Sequence, residues 1–429
     1  MNIQLLPDLA AMATLLTILY FLRRRHLQEG VGLWIVGLVF IFLEAIAHFL
    51  YMPSGPRHLP MHVVALDSYL AAGAIFLLAA ARGLFPQRLT LIYLLVNTAP
   101  LAAIETIYGL DLRNRALYHL VAACGLALGL VTPFFLCSTV RLRKAWWLVL
   151  VQAAIWIPVW SFASNQMFRD TAYYSLFVMY LTAAVVFQLS LPKKSLGKIS
   201  IVAGFTLWSL VFLAHSWVSN NPQYVGVAAA VWDWQKFLVT IGMLLVMLER
   251  QVSCNEWNAL HDQLTGLPNR RLFEDRLEQA LEHSRRNGTR TALTMIDLNG
   301  FKSINDQQGH DTGDRLLEHI ANNLRHAVRS PDTLARLGGD EFIIIATDLP
   351  SEMPASLLVE ASTARVRDAL KKPLQVGGRS LSVSGSVGVA IFPDDTTDEV
   401  LLRRLADQRM YQQKRQIPLP LGDAASLGF

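Results

Sequence analysis

Two short stretches of the chain carry carboxylates where a backbone turn would present them. Asp297 ends an apolar run over 291 to 298, so a strand there would deliver its side chain to the edge of a sheet. Gly338 and Gly339 lie between two β-rich stretches and are followed at once by Asp340 and Glu341. A glycine pair in a hairpin turn tolerates positive φ and lets a ligand come close to the backbone, so acids just beyond it face whatever binds there. Asp297 and Asp340 together make a hard-oxygen site suited to Mg²⁺, which binds through one or two carboxylates plus substrate phosphates. That is an arrangement for phosphoryl transfer, in which the ion neutralises phosphate charge and helps lower the pKa of an attacking hydroxyl. Singly, each acid reads as a solvated turn residue; the combination carries the chemistry.

The elements that must position these residues alternate. A helix without Pro or Gly over 251 to 260 suits rigid transmission from the preceding segment. It is followed by a helix over 270 to 286, a strand over 291 to 298, a helix over 310 to 329 and a hairpin pair over 333 to 337 and 342 to 347. A helix over 355 to 371, strands within 380 to 392 and a last helix over 397 to 415 complete one compact α/β domain with a central sheet.

The residues then reach a family. The run His261-Asp262-Gln263-Leu264-Thr265-Gly266-Leu267-Pro268-Asn269-Arg270-Arg271, the stretch from Asp297 to Asp306, Gly309-His310, Gly313-Asp314 and Gly338-Gly339-Asp340-Glu341-Phe342 occur in order over 261 to 342. Together they resemble the GGDEF diguanylate cyclases. The resemblance implies a palm-like, nucleotide-cyclase-like domain with a largely antiparallel sheet, spanning 261–416 after a helical linker at 249–260. It implies a homodimer in which two GTP molecules condense to cyclic di-GMP and pyrophosphate. Asp297, Asp340 and the Leu298 carbonyl would then hold Mg²⁺, or Mn²⁺ in its place, and Glu341 would complete the acidic catalytic site with Asp340. Asn305 and Asp314 would hydrogen-bond guanine. Phe301 and Lys302 would line the triphosphate side, Gly338 and Gly339 would admit the substrate, and Lys414 would reach a phosphate. Arg329 and Asp332 resemble the family's product-inhibition site. The chain departs from the family at Asn299, where a second acid is usual, and after Lys414, where Arg415-Gln-Ile-Pro stands for a Gly-Arg-Asn segment. The runner-up is a catalytically silent GGDEF domain acting as a cyclic di-GMP or GTP receptor, against which the intact acids speak.

The first half has another composition. Hydrophobic residues make up 53% of the 429 residues, and the mean hydropathy is +0.34. Apolar stretches run over 4 to 22, 31 to 51, 62 to 81, 90 to 110, 116 to 138, 145 to 163, 171 to 191, 199 to 218 and 226 to 248, nine candidate spans in an all-α membrane domain over 1–248. Before Gln251 there are 17 Lys/Arg against 9 Asp/Glu, and after it 21 against 24, so the basic pI of the chain belongs to the membrane half and requires no nucleic acid. Alternate loops hold eleven Lys/Arg in one set and four in the other. With the richer set cytoplasmic, the amino terminus lies outside and the catalytic domain lies in the cytoplasm of a bacterial inner membrane, among its lipids. Glu44, His48, Asp67, Glu105, His119, His215 and Asp233 fall in the outer halves of their spans. Glu44 and His48, one helical turn apart, are the candidate sensory pair, the plain alternative being polar groups that reach water at the bilayer edge. A transporter with a regulatory nucleotide domain is disfavoured, since no broken-helix or repeat pattern stands out. The three cysteines have neither pairing nor metal-ligand spacing. The 14 residues after Arg415 leave room for no phosphodiesterase module, and 417–429 read as a loose tail.

Overall fold

The computed structural model describes residues 6–25, 31–52, 57–81, 87–136, 146–193, 195–376 and 379–416. The basic loop residues Arg82, Arg141, Arg143, Lys144 and Lys194, Cys137 and the tail from 417 lie outside them. The chain divides into two compact units, Met1–Gln251 and Val252–Phe429.

The first unit is helical, and each of the nine apolar stretches is a helix: α1 (Leu6–Arg25), α2 (Val31–Leu50), α3 (His58–Ala81), α4 (Gln87–Gly109), α5 (Arg115–Leu136), α6 (Trp146–Ser164), α7 (Phe168–Ser190), α8 (Leu196–Ser219) and α9 (Val225–Leu260). Six helical segments among the described residues are long and apolar enough to cross a membrane, fewer than the nine expected. Two others, Leu9–Phe21 and Leu150–Ser164, are apolar but shorter. α4 carries Asn97, Thr98, Pro100, Glu105 and Thr106, which lower its apolar character. The packing centre is aromatic: Trp208, Phe205 and Phe212 of α8, Phe76 of α3 and Tyr180 of α7 are buried together.

In the second unit the elements are α10 (Arg270–Asn287), β1 (Arg290–Asn299), α11 (Phe301–Gln308), α12 (His310–Ala327), β2 (Thr333–Gly338), β3 (Glu341–Leu349), α13 (Ala355–Leu370), β4 (Leu374–Val376), β5 (Arg379–Leu381), β6 (Ser384–Phe392) and α14 (Glu399–Gln416). α11 is an element the apolar pattern did not announce. The two strands expected within 380 to 392 are β5 and β6, and β4, which lies before that range, pairs with β5. The four-stranded sheet has the order β2-β3-β1-β6 with every neighbour antiparallel.

Both faces of this sheet are covered, which is why its strands read as nearly continuous apolar runs. Ala292, Ile296 and Leu298 of β1 pack with Leu316, Ile320 and Leu324 of α12 and with Val366 and Leu370 of α13. Leu293 and Met295 lie on the opposite face with Phe273, Leu277 and Leu281 of α10 and Leu402 and Ala406 of α14. The two-residue period of a strand therefore puts Asp297 on the α14 side, at the end of the row begun by Leu293 and Met295.

α14 is tied to β6 at several points. Gly388 allows the contact, because a Cβ there would collide with the backbone of Ala406 and Met410. The Val387 N–H donates to Gln413 Oε1, and the Ile391 N–H donates to Asp395 Oδ2 at 2.7 Å. Arg409 donates to the Val389 carbonyl at 2.6 Å and grips Asp395 with both terminal nitrogens at 2.7 Å. The Gly388→Ala substitution should cost about 1–3 kcal/mol through overpacking. Thermal unfolding of the full chain measures this, and an unchanged midpoint would mean that α14 can shift without loss.

Candidate active site

The acids meet at one end of the sheet. Asp297 is paired across the β1–β3 ladder with Glu341, and the Leu298 N–H donates to the Asp340 carbonyl at 3.2 Å. The turn that makes this possible runs through Gly338 at φ 146° and Gly339 at φ 54°. A Cβ at either glycine would meet nothing within 4 Å, so the backbone angle and not crowding calls for glycine.

The hairpin is held from outside. Arg336 is 9% exposed. Its Nε and one terminal nitrogen donate to the Gly339 carbonyl at 3.0 and 2.7 Å, and its other terminal nitrogen donates to Asp262 Oδ1 at 2.8 Å. Asp262 also accepts from the Thr265 N–H at 2.9 Å and from the Thr265 hydroxyl at 2.6 Å. Burial pushes the Asp262 carboxyl up, but the bonds from Thr265 and Arg336 outweigh it and hold the carboxyl below its ordinary range.

The site accumulates negative charge. Burial, supported by the charge of Asp297, pushes the Asp340 carboxyl up. Burial and the charges of Asp297 and Asp340 push Glu341 up, against the pull of Arg270. Asp297 is 7% exposed, and the Lys414 ammonium lies 2.6 Å from its Oδ1. That hydrogen bond holds Lys414 above the usual lysine range. Mutually repelling carboxyls suit a divalent ion. Among the described residues no three acidic, histidine or cysteine side chains converge as a ready cage; Asp297 and Asp340 are the two carboxylates that would hold an ion completed by nucleotide phosphates. The Leu298 side chain is core, so its carbonyl is what it can offer such an ion. Asn299 bonds within the sheet instead, donating to Ser384 Oγ at 3.2 Å and accepting from Ser386 Oγ at 2.9 Å.

α11 and α12 bring the guanine candidates together. The Gly309 N–H donates to the Asn305 carbonyl at 2.9 Å, and a Cβ on Gly313 would strike the Asn305 side-chain oxygen. That oxygen is buried without a hydrogen-bond partner among the described residues, while Asp314, next to Gly313, is exposed. Lys302 is exposed on α11. Phe301 is 8% exposed and belongs to the sheet core, because the first residue of α11 faces inward, so its backbone is what it can offer a triphosphate. Arg415 lies with its guanidinium 5.2 Å from the Tyr411 ring centre.

Residues 259–417 match the family model described as "Diguanylate cyclase, GGDEF domain". That stretch is a GGDEF domain. MucR, a bifunctional diguanylate cyclase/cyclic di-GMP phosphodiesterase of Pseudomonas aeruginosa, is 42% identical over 160 residues, covering 37% of this chain and 22% of that one. The diguanylate cyclase TpbB of Pseudomonas aeruginosa is 38% identical over 159 residues, covering 37% of this chain and 36% of that one. The crystal structure of a sensory box/GGDEF family protein from Caulobacter crescentus CB15 is 36% identical, covering 37% of this chain and 99% of that one with a TM-score of 0.35. The chain thus spans between 22% and 36% of the length of these two curated relatives.

Away from the acids of the GGDEF domain, Arg329 is exposed, but Asp332 is engaged in its own turn. The Asp332 carboxylate accepts from the Arg329 N–H at 3.1 Å and the Thr347 N–H at 3.3 Å, and Arg365 of α13 lies 4.0 Å away. Sequence reasoning missed Arg365 and Arg336; the latter had a signal, standing two residues before the glycine pair. In the first unit Glu44 is 3% exposed, with His48 Nδ1 at 2.7 Å and Lys236 Nζ of α9 at 3.7 Å. Beside them the Trp232 indole donates to the Tyr69 hydroxyl at 2.8 Å, and the Tyr180 hydroxyl donates to the Tyr69 carbonyl at 3.0 Å.

The raised Asp340 and Glu341 carboxyls have a thermodynamic sign. The folded chain binds their protons more tightly than the unfolded chain, so stability falls as the pH rises from the ordinary values of 3.8 and 4.5 through the raised ones. Asp340→Asn and Glu341→Gln should therefore raise the melting temperature of metal-free protein at pH 7, and the gain should vanish below those ordinary values. Melting curves of the full chain across pH measure this; a loss of stability at pH 7 would contradict it.

Proposed function

We propose that the chain is a membrane-bound diguanylate cyclase that condenses two GTP into cyclic di-GMP and pyrophosphate, works as a homodimer, and is governed by its helical first unit. The observation that carries the reading is the junction of Asp297, Asp340 and Glu341 at a glycine-pair hairpin clamped by Arg336. Asp340 and Glu341, held there with their carboxyls pushed up, are arranged for chemistry and not for stability.

In this mechanism each copy holds one GTP. Asn305 and Asp314 read the guanine, Lys302 and the backbone at the start of α11 take the phosphates, and the glycine pair admits the nucleotide against the hairpin. The 3′-hydroxyl of one GTP attacks the α-phosphate of the other, an O–P bond forms, pyrophosphate leaves, and the reciprocal step closes the ring. Glu341 is the carboxylate left to accept the hydroxyl proton. A divalent ion, Mg²⁺ or Mn²⁺, on Asp297 and Asp340 supplies charge neutralisation when bound. Positioning and charge do the rest, without a protein nucleophile. Two copies are required because one nucleotide cannot supply both partners.

The membrane placement is supported by the six long apolar helices of the first unit, with the catalytic unit on the cytoplasmic side by the distribution of Lys and Arg. Product feedback would act through Arg329, whose exposed guanidinium can fork onto a phosphate or a guanine edge. Asp332 would have to leave its turn to join it. Detergent-solubilised full-length protein given GTP and Mg²⁺ should release cyclic di-GMP. The Asp340→Ala variant should lose at least about a hundredfold in rate, the scale of a transition-state charge contact, and Arg329→Ala should keep synthesising as product accumulates. A folded, GTP-binding wild type that makes no product would turn the reading to a silent receptor.

Sensing is assigned to Glu44 and His48, with Lys236 as the third member of their network, in which Glu44 and Lys236 are buried and His48 is half-exposed. Glu44→Gln combined with His48→Ala should change the cyclase rate of the membrane-embedded protein. An unchanged rate under every stimulus applied would remove the pair from the sensory role.

A further inference from the structure

The geometry points to Lys414 as a resident counter-ion of the acidic site, which must release Asp297 before a divalent cation takes that carboxylate, so that metal and nucleotide bind cooperatively. This rests on the reading of the site as a metal and nucleotide centre. The ammonium lies 2.6 Å from Asp297 Oδ1, and Asp340 and Glu341 are within its electrostatic reach. It arrives on a fixed support. Gly388 seats α14 directly on β6, Gln413, the preceding residue, caps the Val387 N–H, and Arg409 binds Asp395 through two nitrogens. Lys414 is 43% exposed along its side chain, so it can swing without disturbing the helix.

A carboxylate with an ammonium partner yields it only when both charges find replacements. A bare divalent ion replaces the ammonium at Asp297 but leaves Lys414 only water in place of its anion, with a cation beside a cation. A metal-bound triphosphate provides both replacements at once, the ion for the carboxylates and phosphate oxygens for Lys414. Each ligand therefore raises the affinity of the other by the same factor.

The test is a Mn²⁺ titration of detergent-solubilised full-length protein, read by the electron paramagnetic resonance of free Mn²⁺, with and without a non-hydrolysable GTP analogue. Lys414→Met keeps most of the stem and removes the charge. It should bind Mn²⁺ alone about tenfold more tightly than the wild type, the scale set by one nearby charge. The analogue should then enhance Mn²⁺ binding less than it does in the wild type, and Asp297→Asn should weaken Mn²⁺ binding in either background. Mn²⁺ binding to Lys414→Met no tighter than to wild type, or an unchanged enhancement, overturns the inference while leaving the cyclase reading intact. Failure of the wild type to bind either Mn²⁺ or the analogue overturns both.

Discussion

Everything at the acidic end of the sheet hangs on one guanidinium. Arg336 sits on β2 and reaches two places at once, the carbonyl of Gly339 inside the turn and the carboxylate of Asp262 ahead of α10. A hairpin whose turn residues adopt glycine angles has little rigidity of its own. With Arg336 in place the carbonyl is fixed, the Asp340 backbone can accept from Leu298, and the acids stand opposite β1. A lysine could not do the same, since one ammonium cannot present a planar fork in both directions. The run from His261 to Asn269 is thus more than a connection: Asp262 and Thr265 build the anion that holds the turn from below.

The sheet also explains why acids can be carried there. β1 is an inner strand with helices over both faces, and its apolar row ends in Asp297. The core supplies stability along most of the strand, and the last residues spend part of it on charge. Asn299 follows the same division, since its amide joins Ser384 and Ser386 in the ladder and adds no further negative charge.

Much of this was legible in sequence where the determinants are local. The apolar run along 291 to 298 places Asp297 on a strand end, the glycine pair announces the hairpin, and all nine apolar stretches are helices. What was not legible is set by distance along the chain. Lys414 and Asp297 are 117 residues apart, and only the register of α14 on β6 brings them together. Likewise Lys236 meets Glu44 across two helices far apart in sequence. α11 hides for another reason: it is eight residues long and buries only Phe301, too little to show a helical apolar period. At Phe301 the motif position speaks for the backbone, while the ring answers to the core.

The side chains that seal β6 have a consequence for copies of the domain that meet at high concentration. An open strand edge is a template on which another chain can add its own strand. On β6 the amides of Val387 and Ile391 and the carbonyl of Val389 already have partners supplied by Gln413, Asp395 and Arg409. Sheet extension at that margin is closed, so two copies are steered away from continuous β-pairing there, the kind of contact that grows into fibres instead of stopping at two.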